Sequence, residues 1–138
     1  GHWLIGDLSR TCGVERNVFT YPMLSDASAV VYDHERGLAH SGGSVYAESG
    51  PISIGNGDNI MQVTDLITDE QTQGDVNVTF KSRYYPNDTE YTHGPYTPSD
   101  PTSVRFSGRQ VRMKVEGQTL SNWKVGTMRV EAKAGGRR

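Results

Sequence analysis

Apolar residues along this chain recur at alternate positions rather than at helical spacing. No window of about 11 residues carries an i, i+3, i+4, i+7 apolar stripe without a Gly or Pro breaking it. The clearest alternation runs from Asp75 to Tyr85. Val76, Val78 and Phe80 point one way; Asn77, Thr79, Lys81 and Arg83 point the other. That is the pattern of a half-buried strand in an antiparallel sheet. A second strand is expected from Arg109 to Glu116, with Val111, Met113 and Val115 alternating with Arg112, Lys114 and Glu116. A third is expected from Trp123 to Lys133. Its apolar parity changes at Gly126, between Trp123 and Val125 on one side and Met128, Val130 and Ala132 on the other, so a β-bulge is placed there. Shorter strands are expected at Pro51–Ile54, Met61–Leu66 and Thr102–Phe106.

The punctuation agrees. Gly55-Asn56-Gly57-Asp58-Asn59 is rich in residues that tolerate positive φ and reads as a tight turn. Gly117–Asn122 and Ser107-Gly108 read as hairpin connections. Tyr85 to Pro101 reads as one long, Pro-rich connection, which in a compact domain is functional or wraps the edge. In the first fifty residues, short strands at Ala29–Asp33 and Ser44–Glu48 flank an Asp-x-x-x-Gly turn, with Leu38–His40 between them. This resembles one blade of a β-propeller. The fold class expected is all-β: an antiparallel β-sandwich of about seven or eight strands over residues 51–138, preceded by a propeller-blade-like hairpin segment over residues 1–50. Phe80, Val111, Met113, Trp123 and Val130 are expected in the core.

Composition narrows this further. A 138-residue chain is one domain, or one domain and a smaller piece. Its 34% hydrophobic content and 16 glycines fit many turns around a thin core. The 14 Lys+Arg against 16 Asp+Glu give a net charge of −2, which excludes strong global attraction to nucleic acid or anionic membrane. No run approaches the ~18–20 apolar residues of a membrane span, and no signal-peptide pattern is present. The single cysteine, Cys12, excludes an internal disulfide framework. Gly1-His2-Trp3 reads as a tag-cleavage remnant on one end of a larger protein, and Ala134–Arg138 as a natural, frayed terminus.

No nucleophile elbow, H-E-x-x-H, Walker A loop or G-x-G-x-x-G is present, so neither a catalytic residue nor a cofactor is expected. His34 and His40 with Asp33 or Glu35 match no zinc spacing, so no metal site is expected. Asp65, Asp69, Glu70 and Asp75 read as a solvated acidic loop rather than a glycosidase pair. Asn56, Asp58 and Asn59 are too few for a calcium loop.

Two features remain. Tyr85, Tyr91, His93 and Tyr96, with Tyr84, make an aromatic stretch that contacts a neighbouring subunit or a glycan, or else packs over the sandwich edge. Lys81, Arg83, Arg112 and Lys114, with Arg109 and Arg129, fall on outward strand positions. They form a stripe for DNA phosphates, or a solvated face paired with Glu116 and Glu131.

Glu48-Ser49-Gly50-Pro51-Ile52, Gly57-Asp58, Gly74-Asp75-Val76, Thr79–Arg83, Tyr91–Tyr96, Ser107–Arg112, Trp123–Arg129 and the closing Gly135–Arg138 together resemble the C-terminal domain of a family of phage virion proteins. Tyr32-Asp33, Gly37 and Ser44-Val45-Tyr46 are similar to the blade-like repeats that precede it in tail-nozzle and packaged-DNA-stabilising proteins of short-tailed phages. The resemblance implies a non-enzymatic virion structural protein of the tail or head-to-tail connector. Such a protein is assembled in the host cytoplasm, is homo-oligomeric at full length, touches other virion proteins and makes non-specific contact with packaged DNA. The other class weighed is a carbohydrate- or receptor-binding sandwich of a tail protein, with an accessory domain of a polysaccharide hydrolase behind it.

Overall fold

The computed structural model describes residues 8–37, 44–53, 57–68, 75–99, 101–119 and 123–137. The chain divides into two compact units, 1–43 and 44–138.

The first unit is a small antiparallel meander. Its strands are β1 (Cys12–Val14), β2 (Met23–Ser25) and β3 (Val31–Asp33), each 3 residues long, in the order β1-β2-β3. A loop anchored by Asp26 closes the β2–β3 turn. The Asp26 carboxylate accepts from the backbone N–H of Ser28 and Val30 and from the Tyr32 hydroxyl. β1 and β2 have no alternation long enough to mark them in the sequence. The expected blade-like hairpin does not form as drawn. Its second strand, β4 (Tyr46–Glu48), pairs instead with β9 (Gln110–Gly117) of the second unit, while Leu38–His40 lies outside the described residues.

The second unit is a β-sandwich. Its strands are β4, β5 (Asn59–Thr68), β6 (Val76–Arg83), β7 (Tyr91–Tyr96), β8 (Thr102–Gly108), β9 (Gln110–Gly117) and β10 (Met128–Arg137). One sheet has the order β4-β9-β6-β7 and the other β10-β5-β8. β6 shows why the sequence folds this way: Val76, Val78, Phe80 and Ser82 are buried, and every residue between them is half-exposed. A one-residue slip would turn this whole set outward, so the pattern fixes the register. The core is drawn from both sheets: Val76, Val78, Phe80, Val111 and Val115 face Met61, Val63, Leu66, Val104 and Phe106. Phe80 and Phe106 meet with ring centroids 5.0 Å apart.

Several connections differ from expectation. Gly117–Asn122 and Ser107-Gly108 are not hairpin links, because β9 lies in one sheet while β8 and β10 lie in the other. β9 is already flanked by β4 and β6, which leaves no edge for a sequential neighbour. The expected strand at Pro51–Ile54 reduces, among described residues, to a bridge between Ile52 and Val111. β10 starts at Met128, so Gly126 precedes it and carries no bulge. The register shifts fall at Glu131/Ala132 and Ala134/Arg137 instead. The chain end is not frayed before Arg137, which pairs with Asn59. Met113 and Trp123 pack against the core, but Val130 is 38% exposed because β10 is an edge strand with one neighbour.

Candidate functional site

The residues from Tyr91 to Tyr96, read from sequence as part of a long loop, form strand β7 on β6. Gly94 has φ +106 and lies at a register shift between the Val78↔Tyr96 and Phe80↔His93 pairs. That extra residue masks the alternation in Tyr91-Thr92-His93-Gly94-Pro95-Tyr96. Directly opposed residues of an antiparallel pair share a face. His93 and Tyr96 therefore lie on the same side as Phe80 and Val78, toward the core.

His93 stacks on Phe106 at 4.6 Å with planes 12° apart. Its Nε2 lies 2.8 Å from the Ser82 hydroxyl. Burial alone holds its imidazole below the ordinary value. Tyr96 approaches Phe80 at 6.3 Å between ring centroids. Tyr85 and Tyr91 remain exposed, at 58% and 55%. Of the four candidate contact residues, two thus pack against the core and two are more than half exposed, although Tyr91, opposite the buried Ser82, shares the core-facing side of its sheet. Tyr84 bonds the Ser107 hydroxyl across to β8 at 2.9 Å, and the Arg109 guanidinium lies 5.8 Å from the Tyr85 ring.

A serine hydroxyl against an imidazole nitrogen is also the contact of a nucleophile and its base. Here Ser82 is 1% exposed beside a stacked aromatic pair, and the contact ties β7 to β6 inside the sandwich. The sequence carried a signal for this residue: Ser82 is a polar residue on the apolar parity of β6.

Lys81, Arg83, Arg112 and Lys114 do come together, whereas Arg129 lies on β10 in the other sheet and Arg109 falls between β8 and β9. Lys81 is directly opposite Arg112, Thr79 opposite Lys114 and Arg83 opposite Gln110, all on the outer face of the four-stranded sheet. Three carboxylates meet them. Glu48 of β4 takes Lys81 at 3.1 Å and Arg112 at 3.5 Å. Glu90, just before β7, takes Arg112 at 2.6 Å and Arg83 at 3.9 Å. Glu116 takes Lys114 at 3.1 Å. Glu116 was foreseen as a partner; Glu48 and Glu90 were not, because only the strand pairing of β4 and β7 brings them beside the stripe. The hydrogen bond from Arg112 holds the Glu90 carboxyl below the usual carboxylate range, against a smaller desolvation effect. Glu116 is lowered first by a hydrogen bond with the Ser44 side chain and then by Lys114. The stripe is thus an ion-pair network rather than an open row of cations.

Among the described residues, no three His, Cys, Asp or Glu side chains gather as a metal-ligand cluster. His34 accepts a hydrogen bond from Arg10 Nε at 3.1 Å, while His40 lies outside the described residues. No helix is long and apolar enough to cross a membrane. No protein-family model, curated protein or solved structure matches the chain.

Proposed function

We propose that this chain is a non-enzymatic structural module of a bacteriophage particle. It is the C-terminal part of a tail or head-to-tail connector (nozzle) protein, resident in the virion and seated against other virion proteins in a full-length homo-oligomer. The first unit carries this reading. No described residue from Leu8 to Gly37 is buried, and Val14, Val18, Phe19 and Val31 are 57%, 87%, 52% and 56% exposed. Strands of 3 residues cannot bury such side chains by themselves. Exposed apolar side chains on so small a sheet fit a surface that another protein covers. The sequence resemblance to virion proteins supports the same reading. In it, any contact of the basic face with packaged DNA competes with Glu48, Glu90 and Glu116.

Gold-labelled antibody against the chain, applied to washed particles of the source phage, tests this. Label confined to the head–tail junction is the expected result; particles without label would sink it. A second reading, a glycan- or receptor-binding module of a tail protein, draws on exposed Tyr85 and Tyr91. It requires retention on a host glycan that Tyr85→Ala and Tyr91→Ala abolish while the fold survives.

A further inference from the structure

Among the described residues β10, 10 residues long, is the longest edge strand of the sandwich, with β5 as its one strand neighbour. The other edges are less suited to pairing. β4 has 3 residues, β7 is interrupted at Gly94-Pro95, and β8 carries Arg105 with no acidic residue. Open strands invite a further strand unless something repels it.

The charges of β10 are self-complementary. Glu131 and Lys133 are exposed and share the outer face, two residues apart, while Met128 and Ala132 pack on the core side. A second β10 laid antiparallel about a two-fold axis at Ala132 must pair residues of equal parity. Glu131 then faces Lys133 of the second copy, and Lys133 faces Glu131 of the second copy. On the other face Val130, 38% exposed, meets Ala134. On its inner side Glu131 is directly opposite Asp65 of β5, a like-charge pair across the ladder. A cation on the open side answers that repulsion.

We propose that β10 pairs with β10 of a second copy of this chain, joining two three-stranded sheets into one continuous six-stranded sheet centred on Ala132. This rests on β10 alone and not on the virion reading, so a monomer would overturn it without touching that reading.

Sedimentation of the full chain over a wide concentration range tests the pairing. The mass should move from 15.2 kDa toward twice that value, less readily at high salt. Glu131→Lys sets lysine against lysine, and Lys133→Glu sets glutamate against glutamate. Each should weaken association roughly ten-fold or more, and the double exchange should restore it. Both side chains are exposed, and Glu131→Lys also places a cation opposite Asp65, so the fold is not at risk. A monomer at every concentration overturns the proposal. So does a dimer indifferent to the single reversals, or one that the double exchange fails to restore.

Discussion

His93 lies flat against Phe106, 4.6 Å between ring centroids, and so joins the edge strand β7 to the opposite sheet. Its other contact, Ser82 on β6, lies within its own sheet. Protonation places a charge between an aromatic face and a buried hydroxyl. Burial lowers the imidazole in the fold, so the unfolded chain binds the proton more readily. Stability from this group is therefore full above its ordinary 6.5 and is lost progressively as the pH falls below that value. The thermal midpoint should drop between neutral pH and the carboxylate range. In His93→Phe that stretch should be flatter. Glu90 and Glu116, both held below their ordinary 4.5, act only at lower pH, which separates the two effects.

Gly108 is buried where β8 turns toward the other sheet. A Cβ there would lie 2.8 Å from the Ser82 Cβ and 3.4 Å from the Arg83 backbone. Gly108→Ala should cost roughly 1–3 kcal/mol by overpacking. Gly50→Ala meets open space and should be close to neutral. Urea unfolding of the two variants checks the contrast.

Phe80 and Tyr91 test which aromatic residues support the fold. Phe80 is fully buried between Phe106 and Tyr96, and Phe80→Ala should cost roughly 3–5 kcal/mol. Tyr91 is 55% exposed, so Tyr91→Ala should stay within about 0.5 kcal/mol by the same measurement.

Arg112 bridges Glu48 and Glu90, which flank it from β4 and from the start of β7. Arg112→Met should lower stability by about 1 kcal/mol, and the loss should shrink in high salt. A loss unchanged by salt would assign the arginine's contribution to packing of its stem instead.

Much of this architecture is legible in the residues. β6 and β9 declare themselves because one face is apolar and the other charged over a full strand length. The cations of the stripe follow from that parity. β7 hides because Gly94 and Pro95 break the alternation, and its pairing with β6 depends on a register shift. Partners on strands distant in sequence are hidden for a related reason. Glu48 reaches Lys81 only because β4 pairs with β9, and β9 with β6. The Trp123 region shows the limit from the other side. Trp123 and Val125 pack on the core without being in a strand, so a change of apolar parity at Gly126 imitates a bulge.

The function proposed above makes this chain a stoichiometric part of a phage particle. Quantitative peptide mass spectrometry on washed particles from the source tests it most directly, following peptides from 75–83 and 115–124. The expected result is a fixed copy number per particle, as a ring of subunits requires. Peptides present in the lysate but absent from washed particles would contradict it.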